Sequence, residues 1–168
     1  MPFKRNLLLL LVFLTFFTRS FSQKIDLKET STGIDFLIDN QRVLTYQTKK
    51  EPVPAGVKEA FSKSGFIHPI TSPSGQVLSR IQPADHYHHY GIWGPWTRAT
   101  ISGREVDFWN LGDEKGRVDF SHVLSKKIAG GAAELNVRQN HNDLKAPDSE
   151  RIAIEEDLRI KVKPAEKG

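Results

Sequence analysis

The stretch RIAIEEDLRIKVK, residues 151–163, carries the clearest structural signal in the chain. Its apolar side chains recur at every second position, and Glu156 is the one polar residue on that face. Alternation with a period of two is typical of a strand that buries one face and exposes the other. The stretch therefore predicts a long β-strand. Its apolar positions are Ile152, Ile154, Leu158, Ile160 and Val162.

Two further strands are predicted before this one, joined by a turn at Gly130-Gly131. Apolar and polar residues alternate from Ala133 to Val137, which predicts a strand after the turn. The polar segment NHNDLKAPDSE, residues 140–150, predicts a loop in which His141 is solvated. The strand before the turn is expected to place four side chains on one face: Val118, Phe120, His122 and Leu124.

The first half of the chain shows the same kind of pattern. Residues 33–47 predict a hairpin that turns at Asp39-Asn40, and residues 99–109 predict a second hairpin. Residues 51–64 predict a loop with one helical turn at 56–62. Short strands are expected at 66–70 and 76–80, and Pro69 marks the first of these as an edge or a bulge.

Short strands joined by Gly, Asn, Asp and Ser turns are typical of an antiparallel all-β sandwich. We therefore expect a single β-sandwich domain over residues 23–168. The predicted strand at 151–163 lies close to the end of the sequence, where a sheet would be expected to continue. This suggests a sandwich that is incomplete at its C-terminus.

The first 22 residues have the composition of a secretory signal peptide. Lys4 and Arg5 precede an apolar run from Leu7 to Phe17, and Ser20-Phe21-Ser22 gives small residues before the expected cleavage site. The run is shorter than the roughly 20 apolar residues that span a bilayer. The protein is therefore expected to be periplasmic or secreted, with no stable membrane insertion after the leader is removed.

Composition excludes several classes of function. The chain has no cysteine, so disulfides, thiolate metal sites and cysteine nucleophiles are excluded. Its net charge of +4 owes much to Lys4, Arg5 and Arg19 of the leader, and the rest has 21 basic and 20 acidic residues. Without a concentrated basic stripe, nucleic acid is not an expected partner.

Residues 85–96, DHYHHYGIWGPW, concentrate the side chains that can do chemistry. If the segment were an extended strand, His86 and His88 would face one side and His89 the other. Histidine accepts and returns protons near neutral pH, and Glu156 is a candidate carboxylate partner. Indole rings can stack on the apolar face of a sugar. Trp93 and Trp109 are the candidate stacking residues.

Several motifs in this region resemble the PmoA-like family, secreted bacterial proteins of unknown function. The resemblance covers about residues 33–163 and implies a galactose-mutarotase-like β-sandwich and a carbohydrate ligand. Members of that family are about twice as long, so this chain corresponds to the N-terminal half. The matching elements are His68-Pro69, Ser72-Pro73-Ser74-Gly75, Asp85-His86, His88-His89, Gly91, Trp93 and Val106-Asp107-Phe108-Trp109.

The leading interpretation is an exported protein that binds or processes a carbohydrate. His86, His88 and His89 are the candidate catalytic residues, and Trp93, His68, His122 and Trp109 are the candidate substrate-binding residues. One alternative is a metalloenzyme in which His86 and His88 bind Zn²⁺, copper or iron, completed by Asp85, His68 or His122. Another alternative is a truncated fragment without catalysis. The sequence leaves open whether the protein is an enzyme, which cofactor it uses and whether it forms an oligomer.

Overall fold

The computed structural model describes residues 23–165. The expected leader, residues 1–22, lies outside the described residues. Single 3₁₀ turns occur at Glu59–Phe61, Leu111–Asp113 and Asp148–Glu150. Over the described range, nine strands follow one another: β1 (Ile25–Glu29), β2 (Gly33–Ile38), β3 (Gln41–Gln47), β4 (Phe66–Ile70), β5 (Ala99–Ile101), β6 (Arg104–Val106), β7 (Gly116–Ala129), β8 (Ala132–Asp143) and β9 (Ile152–Val162).

The strands form three antiparallel sheets. One has the order β1-β2-β3-β4, the second is the β5-β6 hairpin, and the third has the order β7-β8-β9. The main core lies between the first and third sheets, where Phe36 and Tyr46 pack with Leu135, Val137 and Ile160. This arrangement confirms the predicted all-β, sandwich-like class.

The β2–β3 hairpin turns where the sequence predicts. Asp39 and Asn40 have φ values of 51° and 64°, as a two-residue turn of this kind requires. Asp and Asn tolerate this left-handed conformation better than most residues, because their short side chains form local hydrogen bonds. The turn sets the register in which Ile38 faces Gln41 and Leu37 faces Arg42, and a bulge then shifts the pairing so that Phe36 faces Leu44.

The predicted strand at 151–163 is β9, and its apolar face is turned toward the core. Leu158 pairs with Val137 and Ile160 pairs with Leu135 on β8. Glu156 lies on the same face, opposite Gln139. The alternation therefore predicted both the strand and the direction of its faces.

The predicted loop at 140–150 begins too early. β8 continues to Asp143, and His141 is fully buried instead of solvated. Three polar side chains occupy successive inward positions of this strand, and each has a polar partner. Gln139 contacts Tyr46, His141 contacts Glu156, and Asp143 contacts Arg104.

The predicted face of β7 is also wrong beyond Phe120. The register with β8 shifts between Phe120 and His122 and again between Val123 and Ser125. A bulge reverses which side chains point inward. Val123 consequently packs on the core, whereas His122 and Leu124 are exposed.

β4 is an edge strand, as Pro69 predicted. The strand expected at 76–80 does not form. Thr71 and Val77 make one isolated bridge, and the Leu78 amide donates to the Ile70 carbonyl at 2.7 Å. The helical turn expected at 56–62 is present as a single turn. Within residues 23–165, no helix has the length and apolar character needed to cross a membrane.

Candidate functional site: a histidine cluster beside Trp109

The segment that carries the three neighbouring histidines is folded into tight turns. The His86 amide donates to the Pro83 carbonyl at 2.8 Å, and the His89 amide donates to the His86 carbonyl at 3.0 Å. The expectation of an extended strand, with His89 on the opposite face, is therefore wrong. The turns instead bring all three imidazoles together.

The three rings are in mutual contact. His86 and His89 are stacked, with ring centroids 4.8 Å apart. His88 meets His89 edge-on at 4.7 Å and lies 5.7 Å from His86. The Trp109 ring lies 4.3 Å from His88 and 5.9 Å from His89. These four side chains, His86, His88, His89 and Trp109, are called the histidine cluster below.

A local turn positions Trp109. The Asp107 carboxylate accepts hydrogen bonds from the amides of Trp109, at 2.8 Å, and Asn110, at 2.9 Å. Between them, Phe108 is fully buried and packs with Val106 and Val118. The buried phenyl ring and the turn together hold the indole at the end of the β5–β6 hairpin.

The histidine turns are anchored through Tyr90. Its ring is buried 4.7 Å from Phe66, and its hydroxyl donates to the Phe61 carbonyl at 2.6 Å. The Gln82 amide group donates to the same hydroxyl and to the Pro52 carbonyl. Gln82 and Tyr90 therefore fix the two ends of the segment that carries the histidines.

Lys63 is a second anchor, which the sequence did not reveal. Its side chain is fully buried, and the ammonium donates to the carbonyls of Ser64 and Gly65. The same nitrogen lies 4.3 Å from the Trp93 ring centroid, and 5.2 and 5.4 Å from those of Phe66 and Tyr90. Burial lowers the pKa of Lys63 to about 7. A lysine in a polar loop is ordinarily exposed, so no sequence signal marked it.

His86 forms a carboxylate–imidazole pair with Asp85. The His86 Nδ1 atom lies 3.0 Å from the Asp85 carboxylate, and about half of the imidazole side chain is exposed (50%). The hydrogen bond from His86 lowers the pKa of Asp85. Because Asp85 binds Nδ1, the opposite nitrogen, Nε2, is the atom that His86 offers to a ligand.

His88 is less exposed than His86 and His89. Its Nε2 atom is buried and makes no hydrogen bond to any other described residue. Burial lowers the pKa of His88, the neighbouring imidazoles of His89 and His86 lower it further, and Asp107 opposes the shift. The cluster thus combines a shielded imidazole with two that contact solvent, because His89 is exposed and His86 half-exposed.

The other predicted site residues are bound elsewhere. Trp93 packs against the Lys63 ammonium. The His68 Nδ1 atom lies 2.8 Å from the Ser79 hydroxyl, and burial lowers the pKa of His68. His122 is exposed on the outer face of β7, where it pairs with Arg138. Of the four predicted substrate-binding residues, only Trp109 is in ring contact with the clustered histidines, His88 and His89.

Glu156 has a different histidine partner from those expected. Its carboxylate lies 2.8 Å from the Nε2 atom of His141. The His141 ring also packs edge-on against Phe108, with centroids 5.2 Å apart. Since Phe108 precedes Trp109, the His141–Glu156 pair lies directly behind the segment that carries the indole of the cluster.

In the part of the chain that the structure describes, no group of three or more histidine and carboxylate side chains is placed to hold a metal ion. The imidazoles contact one another through their rings.

Comparison with known proteins identifies one family. A model described as a family of unknown function, DUF6807, matches residues 33–168, which is most of the chain. No curated protein and no solved structure matches it. The matched range contains the whole histidine cluster and every strand of the two main sheets except β1. The chain therefore belongs to the family of unknown function DUF6807.

Proposed function

We propose that this protein is exported and binds a carbohydrate at the histidine cluster, as its resemblance to PmoA-like proteins implies. The observation that carries the proposal is the group of three mutually contacting imidazoles, two of which contact the Trp109 indole, with His86 and His89 open to solvent. Export rests on the composition of residues 1–22.

The composition of the cluster fits a sugar ring. A sugar presents apolar C–H groups on its faces and hydroxyl groups at its rim. The Trp109 indole offers an apolar surface, and the imidazole nitrogens of His86 and His89 can donate to or accept from hydroxyls. Small-molecule sites commonly combine apolar and aromatic walls with a few polar groups of this kind.

The Asp85–His86 pair gives the same site a means of moving a proton. Asp85 holds Nδ1 of His86, which orients the ring and leaves Nε2 to accept a proton from a bound hydroxyl. The carboxylate stabilises the imidazolium that forms. His86 is therefore the proposed acid–base group, and His88 and His89 are proposed to bind the substrate beside it.

A metal-dependent function is a second candidate. The buried Nε2 atom of His88 makes no hydrogen bond within the described residues, and His86 has a carboxylate on its other nitrogen. Histidine ligands of zinc commonly have such a carboxylate partner. The exposed rings of His86 and His89 would have to rotate to bring three nitrogens together. Elemental analysis of protein purified without chelator tests this: stoichiometric Zn, Cu or Fe would favour it.

Isothermal titration calorimetry against a panel of mono- and disaccharides tests the leading proposal. We expect one or more sugars to bind, and His88→Ala to weaken that binding by about tenfold or more, which corresponds to roughly 1.4 kcal/mol. The matched control is His122→Ala, which removes an exposed histidine from the outer face of β7. Equal losses in both variants, or no binding by the wild type, would reject the proposal.

A further inference from the structure

The edge of β9 differs from the other edges of the two main sheets. β1 has only five residues. Residues 77 and 92 bridge to the segment that contains β4 and cover its outer side. β7 is interrupted by two register shifts. β9 pairs with β8 without interruption from Ile154 to Val162, and within residues 23–165 no strand lies on its other side.

The inward face of β9 is less covered than that of β8. The inward side chains of β8, such as Leu135 and Val137, are fully buried. Of the inward side chains of β9, Ile160 is buried, Leu158 and Val162 are partly buried, and the Glu156 side chain is 34% exposed. The first sheet therefore covers the middle of the third sheet and leaves its β9 margin open. A long regular edge with an open apolar margin is a ready surface for pairing with another strand.

The charges on the outward face of β9 are arranged in two blocks. Glu155 and Asp157 lie in the first half of the strand, and Arg159 and Lys161 lie in the second half. A strand with acids in one half and bases in the other is complementary to an antiparallel copy of itself.

We propose that β9 pairs with β9 of a second copy of this chain, with Leu158 on the two-fold axis. In this register Asp157 faces Arg159 of the other copy, and Glu155 faces Lys161. Each contact occurs twice, which gives four pairs of opposite charge. A two-fold axis at Asp157 or at Arg159 would instead place that residue against its own copy, so that two like charges meet on the axis.

The inward face fits the same register. Leu158 meets its own copy, Ile154 lies opposite Val162 of the other copy, and Glu156 lies opposite Ile160. The third sheet becomes a continuous six-stranded sheet, and the open margin beside Glu156 is covered.

The contacts within one chain leave the outward carboxylates able to bind a second partner. Arg138 on β8 binds Glu155 at 3.1 Å and Asp157 at 2.5 Å. Both carboxylates nevertheless remain more than half exposed (58%). A carboxylate can accept several hydrogen bonds, so each can bind Arg138 and a base of the second copy together.

Sedimentation equilibrium of the processed chain, from low to high micromolar concentration, tests the proposal. We expect a reversible dimer that high salt weakens, because four ion pairs lie at the interface. Arg159→Glu combined with Lys161→Glu makes β9 wholly acidic and is expected to be monomeric. The control, Lys49→Glu with Lys50→Glu, makes the same change in net charge at an exposed bend and should leave the dimer intact.

A complementary variant distinguishes pairing from misfolding. Glu155→Lys with Asp157→Lys makes the outward face of the strand wholly basic, and Arg138→Gln removes the resulting repulsion inside the chain. The acidic and basic variants are each expected to be monomeric alone and to form a one-to-one heterodimer when mixed. A wild type that stays monomeric throughout, or an acidic variant that dimerises as well as the wild type, would overturn the proposal.

Discussion

The His141 Nε2 atom lies 2.8 Å from the Glu156 carboxylate, which joins a fully buried imidazole on β8 to a partly exposed carboxylate on β9. The Nδ1 atom of His141 is buried without a hydrogen bond to any other residue in the described part of the chain. His141 therefore depends on Glu156 for its one hydrogen bond. The pair lies directly behind Phe108, on the segment that ends in Trp109.

Removal of the Glu156 carboxylate should destabilise the protein. Glu156→Ala leaves both nitrogens of a buried imidazole without a partner, which costs about 1–3 kcal/mol in the free energy of unfolding. Glu156→Gln keeps an oxygen that can accept from Nε2 and should cost less. Urea unfolding monitored by circular dichroism measures both variants. Equal stability of the alanine variant and the wild type would contradict this role for Glu156.

The buried Lys63 should make stability depend on pH. The pKa of Lys63 is about 7 in the folded protein, and it is about 10.4 in an unfolded chain. Between these values the unfolded chain binds a proton that the folded chain lacks, so stability rises with pH, by at most about 1.4 kcal/mol per unit. The penalty is greatest below pH 7. Of the nearby charges, Asp119 raises the pKa and Arg117 lowers it.

Lys63→Met isolates this effect, because it keeps a long apolar chain and removes the ionisable group. Urea unfolding at several pH values from about 7 to 9.5, below the range where exposed tyrosines titrate, compares the two proteins. The wild type should gain stability relative to Lys63→Met as the pH rises. A difference that does not change with pH would show that Lys63 is not buried as described.

The contact between the imidazoles should be visible in their titrations. Burial lowers the pKa of His88 first, and His89 and His86 lower it further. His89→Gln removes the larger of these two electrostatic effects, so it should raise the pKa of His88 while leaving it below that of an exposed histidine, because burial remains. Nuclear magnetic resonance of the ring protons measures the pKa directly. His122→Gln is the control, and an unchanged pKa in the His89 variant would contradict the ring contact.

Gly91 should tolerate no side chain. Its φ is 49°, and a Cβ atom there would come within 2.1 Å of the Ile67 carbonyl oxygen. Gly91→Ala should cost more than the roughly 1–2 kcal/mol of the left-handed conformation alone, because backbone atoms would also have to separate. Gly94→Ala is a matched control, since a Cβ there meets nothing within 4 Å. Thermal unfolding compares them, and equal melting temperatures would contradict the close approach of this segment to β4.

The strands could be predicted from the sequence because a half-buried strand alternates its side chains. From this alternation, β9 and the inward face of β8 as far as Val137 were predicted correctly. It failed at His122 and Leu124, because a bulge changes the face and leaves no mark in the alternation. It failed at His141 because a polar inward residue looks like a loop residue until its partner, Glu156, is known.

The histidines of the site could be predicted as residues but not as an arrangement. Composition marked His86, His88, His89 and Trp109, whose side chains the structure brings together. Their grouping depends on turns held by the Pro83 and His86 carbonyls, which the sequence alone does not specify. The burial of Lys63 could not be predicted, since it depends on Tyr90 and Trp93, which come from a distant segment of the chain, as well as on the nearby Phe66.

We propose that His86, His88, His89 and Trp109 form one ligand site facing solvent. The most direct test of this proposal is nuclear magnetic resonance of the imidazole and indole groups during titration with the sugar panel. A sugar that binds should shift the signals of these four rings together and leave those of His122 and the buried His141 unchanged. Binding that shifts other residues while these four signals stay fixed would contradict it.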